Sequence, residues 1–265
     1  MRRADDIIYV YDGTLDGFLS CVFEAFLKKE NPALISKTAE VQLSFGAAIR
    51  EIMTNPENAE RVYKGIDEKL GSRAVELMYY ATLSADPEAE VAALSYIRLG
   101  FKIGRKIYAD LTDDRVLRMN KIAHTVSMEK GRYLEFLRFS EIEGNVLFGE
   151  FEPEPNVLPL IMPHFADRLN AQPFIIHDKG RLLAGVYDTK DWYLVPSGSM
   201  EMPEYSADEK AYRDLWKIFY NTIAVEERIS ERRRMQHLPK KYWKHITEMQ
   251  FRGLEDGCRV GRQMA

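Results

Sequence analysis

Apolar positions are most regularly spaced near the end of the chain, in Asp208–Gln250, DEKAYRDLWKIFYNTIAVEERISERRRMQHLPKKYWKHITEMQ. Tyr212, Leu215, Trp216, Phe219 and Ile223 recur at i, i+3, i+4, i+7 and i+11, which predicts a helix laid on a core. Ser206 stands three residues before Glu209 as a capping box, so the helix should begin near Ala207. Glu226 continues the apolar line, where a carboxylate needs a partner, and a nearby arginine is the expected one. The helix end then turns basic at Arg228, Arg232, Arg233 and Arg234. His237-Leu238-Pro239 breaks the run, and Pro239 suits the first turn of a second helix. Tyr242, Ile246 and Met249 form that helix's apolar line, and Lys240, Lys241, Trp243, Lys244 and His245 take its other sides.

Upstream, Ile7–Tyr11 is a β-branched and aromatic run that predicts a strand, Asp12-Gly13-Thr14 a turn, and Phe18, Val22 and Phe26 a helix ending before Asn31-Pro32. Glu57–Leu83 and Pro87–Ala109 read as helices, the second with Ala92, Tyr96, Leu99 and Ile103 on one side and Gly100 and Gly104 for close packing. Thr112-Asp113-Asp114 caps a third helix reaching about Met128, with Val116, Met119, Ala123 and Val126 inward and His124 near that face. Short strands follow at Arg132–Phe139, Val146–Phe151, Phe174–His177, Leu182–Tyr187 and Trp192–Val195. Asp178-Lys179-Gly180 and Asp188–Asp191 are hairpin connections, too short for parallel crossovers, so the sheet should be mainly antiparallel. Pro163–Asn170 interrupts it as a short helix with Phe165 and Leu169 inward, and Pro196–Pro203 links it to the C-terminal helices. The layout is α+β, one domain over residues 1–252. Its helical part covers about 14–128, its sheet about 132–196 and its C-terminal basic helix pair about 207–250. A frayed, polar tail fills 253–265.

Composition narrows the class. The chain has 265 residues, enough for a sizeable core, with 46% hydrophobic and 29% charged residues, as in ordinary globular proteins. Its net charge of -4 excludes a bulk basic nucleic-acid coat, so any nucleic-acid site must be local. Cys21 and Cys258 are far apart, which points away from a disulfide framework, a zinc site or a cysteine-ligated cluster; no metal or cofactor is expected. No signal-peptide or membrane-spanning run is visible, and the cytoplasm is the expected location.

The basic elbow around His237 suits contact with phosphates through Arg and Lys, with Tyr242 or Trp243 stacking on bases. The same pattern also suits a helix C-terminus that favours cations, beside a solvated charged face. Other polar residues gather near element ends: His124, Glu129, Arg132 and Arg138, then His164, Asp167 and Arg168, then His177. His164 and Asp167, three apart, have the spacing of a general base and its orienter, but no nucleophile is placed beside them, and pairing with one another or capping of elements is the favoured explanation. No GxSxG, HExxH, Walker A or strand-linked GxGxxG motif is present. The DGT triplet resembles the DxDGT motif of aspartate-nucleophile phosphatases, but the nucleophile's position is Val10, leaving Asp12 a turn and capping role.

Three blocks, YDGTLDGFLSCVFEAF at Tyr11–Phe26, MPHFADRL and QPFIIHD within Met162–Asp178, and LWKIFYNTIAVEERISERRRMQHLPKKYWKH at Leu215–His245, carry a wider likeness. Over nearly its whole length the chain resembles an uncharacterised bacterial family described as proteins of DNA metabolism or DNA repair. Members sit beside a gene for a radical-SAM protein, and in some bacteria a similar domain is fused to a uracil-DNA-glycosylase-like domain. The resemblance implies a DNA-linked role and a radical-SAM partner. This chain lacks the three cluster cysteines of such enzymes and would be the companion. The basic run is denser here than in relatives.

Resemblance and pattern together give the expectation of a DNA-binding accessory factor. Arg228, Arg232, Arg233, Arg234, Lys240, Lys241 and Lys244 would hold phosphates, with His237 at the elbow and Glu226 orienting an arginine. One alternative is an enzyme acting on a nucleobase or nucleotide, with His164, Asp167, Arg168 and His124 as its candidates. Another is a docking module for an acidic protein, with no nucleic-acid binding.

Overall fold

The structure, a computed structural model, describes residues 7–37, 48–198 and 231–246, with Glu209, Tyr212 and Leu215 as isolated helical positions. The chain is α+β and falls into two compact units, Met1–Glu129 with Glu154–Asn156, and Lys130–Pro153 with Val157–Ala265. Among the described residues no helix is long and apolar enough to cross a membrane.

The first unit is built on a parallel sheet of order β2-β1-β3: β1 (Ile7–Val10), β2 (Leu34–Ser36) and β3 (Ala48–Glu51). The two outer strands have only three and four residues, too few for periodicity to reveal, and the sequence reading missed both. α1 (Leu15–Leu27) follows β1. Thr14 is its N-cap and accepts from the Gly17 amide at 3.0 Å. Asp12 supports that cap from outside: one carboxylate oxygen accepts from the Thr14 amide and hydroxyl, the other from the Thr54 hydroxyl at 2.6 Å. These bonds hold Asp12 below the usual carboxylate range against the opposing effect of its burial.

Gly17 makes this arrangement possible. A Cβ there would stand 2.1 Å from Asp12 Oδ1 and 2.9 Å from Thr54 Oγ1. Gly17→Ala should therefore cost about 1–3 kcal/mol, the range for forced overpacking. The loss would be read as a lower urea midpoint, and an unchanged midpoint would refute the close approach.

A helical layer completes the unit. The stretch expected as one helix over Glu57–Leu83 is two, α2 (Pro56–Leu70) and α3 (Ser72–Leu83). Gly71, at φ 93, separates them and donates its amide to Asp67 O and Ile66 O. That left-handed backbone is open to glycine and strained for other residues. α4 (Ala89–Ile103) passes into a 3-10 turn, Gly104–Ala109. Gly100 packs against Leu70, whose Cδ1 would lie 2.6 Å from an added Cβ, the close approach the glycine suggested. Phe18, Ile66, Met78, Tyr96, Ile97 and Met119 lie in the shared core. Cys21 is buried with them, and burial pushes its thiol up to about 12, which leaves it an inert core residue. Glu90 is buried too, accepting from the Tyr11 hydroxyl and pairing with Lys37, each at 3.0 Å.

α5 runs Asp114–Phe136, eight residues beyond the expected end. The strand expected at Arg132–Phe139 is displaced by its last turn. Val126, Glu129, Tyr133 and Leu137 are all buried at three- and four-residue steps, and this helical period outweighs the β-propensity of the aromatic residues.

The second unit holds β4 (Phe139–Ile142), β5 (Val146–Phe151), β6 (Phe174–Asp178), β7 (Leu183–Tyr187) and β8 (Trp192–Pro196) in sequential order. The sheet is mainly antiparallel, as expected, but β5 and β6 run parallel. The crossover between them carries α6 (Leu158–Arg168), which begins five residues before the expected Pro163 and contains that proline. The expected hairpin at Asp188–Asp191 closes with Asp188 Oδ1 accepting from the amides of Lys190 and Asp191 at 2.9 Å.

Candidate functional site

The C-terminal element consists of α7 (Glu231–His237) and a 3-10 turn, Lys240–His245. Pro239 is extended, at φ -57 and ψ 147, and caps the turn from outside, so the expected second α-helix is a 3-10 turn here. Tyr242 and Ile246 are inward, as their spacing suggested. Tyr242 meets the rings of Tyr133, edge-on at 5.2 Å, and Phe136 at 5.9 Å, while Arg132 donates to its hydroxyl at 3.3 Å.

Several expectations need correction. Trp243 is 8% exposed and donates its indole N–H to Leu238 O at 2.9 Å, and Tyr242 is 1% exposed. Neither ring offers a face on which a base can stack, because both are spent on anchoring the turn. Tyr212 and Leu215, expected on a buried stripe, are 69% and 60% exposed. Their spacing defines a shared face but not what covers it. Ser206, Glu226, Arg228 and Met249 lie outside the described residues, as does most of the predicted helix near 207–230.

Arg232, His237, Lys240, Lys241 and Lys244 are exposed, and Arg233 and Arg234 belong to α7. The Lys240 ammonium lies 5.8 Å from the Trp243 ring centre and that of Lys241 5.1 Å from Tyr242's, cation–π contacts that tie the lysines to the buried anchors.

Beneath this element, within the same unit, lies a cluster at the carboxyl ends of the parallel pair. Glu150 of β5 is its centre. His177 Nδ1 of β6 lies 3.9 Å from one carboxylate oxygen, and His245 Nδ1 of the 3-10 turn lies 3.5 Å from the other. Lys179 reaches Glu150 at 3.5 Å, and Lys244 pairs with Glu152. The Nε2 atoms of both histidines are buried and make no hydrogen bond among the described residues. Burial holds His245 below the ordinary histidine value against the attraction of Glu150. The Lys244 hydrogen bond holds Glu152 below the usual carboxylate range. Beside the cluster Asp178 is fully buried, and Arg181 donates to it at 3.0 Å. Burial raises Asp178, and Arg181 opposes that rise. Among the described residues no three His, Cys, Asp or Glu side chains are placed to hold a metal ion.

The other candidates are not assembled into a site. His164, Asp167 and Arg168 are exposed on α6, and no side-chain hydrogen bond or ion pair joins His164 to Asp167. His124 is on the exposed side of α5 rather than near its inward face. Sequence reasoning flagged His177 but missed Glu150 and the joining of both to His245. The one available signal was a titratable residue at the end of each of two apolar strands, and it gains meaning only once those strands are known to be parallel.

Fold and site together define an α+β protein whose cationic C-terminal element is anchored by a buried aromatic ring on α5 and by a carboxylate–imidazole cluster on a mixed sheet. The family described as domain of unknown function (DUF4130) matches residues 87–248, and the chain belongs to that family. The match runs from α4 through the C-terminal element and contains the whole cluster. No curated protein matches the chain.

Proposed function

We propose that the protein is a DNA-binding accessory factor in DNA repair or DNA metabolism, acting beside a radical-SAM protein. The observation that supports this reading is the exposure of Arg232, Lys240 and Lys241 on one short element rooted by Tyr242 and Trp243. Cations on a rooted element neutralise phosphates at a smaller ordering cost than cations on a loose tail. With both rings buried, binding rests on the backbone of the nucleic acid and is tolerant of base sequence. The link to repair and to the radical-SAM partner rests on the family resemblance described above.

Fluorescence anisotropy with single- and double-stranded DNA across a salt series tests the reading. Binding should weaken steeply with salt. An Arg232→Ala/Lys240→Ala/Lys241→Ala variant should bind more weakly on every sequence. Its salt slope should be shallower by about 0.9 on duplex, and about 0.7 on single strands, for each phosphate it no longer neutralises. A folded wild-type sample that binds neither DNA at low salt would sink the proposal and move the same surface to an acidic protein partner.

A further inference from the structure

We propose that Glu150, His177 and His245 form a proton-sensitive clasp that fastens the C-terminal element to the sheet near neutral pH and releases it as the pH falls. The clasp concerns how the element is held and not what it binds, so it stands apart from the DNA reading.

Charge balance is the first ground. The groups facing His245 are Glu150 of β5, Glu152 just after β5, Lys179 just after β6, and Lys244 from its own turn. Two carboxylates and two ammonium groups cancel, so with neutral imidazoles the cluster carries no net charge. His177, on β6, is the remaining titratable group at Glu150. A proton added to His245 places an uncompensated positive charge in a site where that ring is 12% exposed by side chain.

Hydrogen bonding is the second ground. A neutral imidazole presents its Nδ1–H towards Glu150 and leaves Nε2 without a proton. Protonation of His245 creates an Nε2–H donor, and that Nε2 is buried with no acceptor among the described residues. A buried donor without an acceptor is costly, whereas in the released element the same N–H meets water. The attraction between Glu150 and a protonated ring works the other way, but Glu150 already shares its charge with Lys179.

The direction of the pH effect follows. His245 is lowered in the docked state from its ordinary value of 6.5. Its contribution to docking is complete above 6.5 and is lost as the pH falls from there through the docked value.

Hydrogen exchange of the full chain between pH 7.5 and 5.5, corrected for intrinsic exchange rates, is the test. Amides of 240–246 should exchange faster at the acid end, on the order of tenfold for each pKa unit by which docking depresses His245. Amides of β6 and β7 should hold their protection. His245→Gln, which keeps a donor for Glu150 but takes no proton, should flatten the profile. A flat wild-type profile would overturn the clasp. So would equal acid loosening of β6 and β7, or a dependence that persists in the His177→Gln/His245→Gln double variant. If the glutamine variants are already undocked at pH 7.5, the His245 ring titration in the wild type by NMR decides: a midpoint below 6.5 supports the clasp and one at or above it overturns it.

Discussion

Truncating Tyr242 to alanine should release the C-terminal element at a cost of about 3–5 kcal/mol, the range for removing a large buried aromatic side chain. The ring is 1% exposed and is shared between two elements distant in sequence. On α5 it meets Tyr133, Phe136 and Arg132; on its own turn it supports Lys241. Its edge-on contact with Tyr133 and tilted contact with Phe136 add to the area term. Tyr242→Phe keeps all of this except the 3.3 Å bond from Arg132 and should cost only about 0.5–1.5 kcal/mol. Hydrogen exchange across 240–246 separates the two, because 3 kcal/mol corresponds to on the order of a hundredfold faster opening. If alanine and phenylalanine give the same protection, the ring is not the anchor. The DNA proposal depends on this result, since a released element would lose the geometry that distinguishes it from any basic segment.

The second large effect is expected at Arg181. Its guanidinium bridges the buried Asp178 carboxylate, at 3.0 Å, and Pro153 O, at 2.9 Å, where β6 turns into β7. Arg181→Ala leaves Asp178 ionised without its cation and should destabilise the fold by about 3 kcal/mol, near the low end for breaking a buried pair because the arginine is partly exposed. Burial already raises Asp178, and losing Arg181 raises it further. A raised carboxyl stabilises the fold below its ordinary range and costs stability as the pH rises through the folded value. The penalty in Arg181→Ala should therefore shrink on acidification, and Asp178→Asn in the same background should recover much of it at pH 7. Urea denaturation at pH 7 and pH 4.5 measures both. A penalty equal at the two pH values would show that packing, not charge, is lost.

Local chemistry made much of the framework legible. The strands β5 to β8 lie close to where β-branched and aromatic runs placed them, because each is bounded by an Asp- or Gly-bearing turn that a sequence displays directly. The end of α5 was misread because Arg132–Phe139 satisfies both strand propensity and helical period, and only burial of Tyr133 against Phe151 and Tyr242 decides between them. The parallel β5–β6 pairing is hidden in the sequence because a crossover helix looks there like an interruption of an antiparallel sheet. The candidate site was the least legible part. The cations of the elbow were plain in the sequence, yet the burial of Tyr242 and Trp243 beneath them was not. Nor could any local pattern join Glu150, His177 and His245, whose meeting depends on three separate elements converging.

That convergence bears on how the chain tolerates change. Arg132 and Tyr242 are 110 positions apart and Lys244 and Glu152 are 92 apart, so the element closes one of the longest spans among the described residues. Closure entropy grows only with the logarithm of span, about 0.6 kcal/mol for each doubling. Lengthening or shortening a surface turn between these positions by a few residues thus hardly alters the docking equilibrium, whereas one atom's change at Tyr242 or His245 does. Homologues can diverge in the length of such turns at small energetic cost while the docked residues stay bound to their geometry.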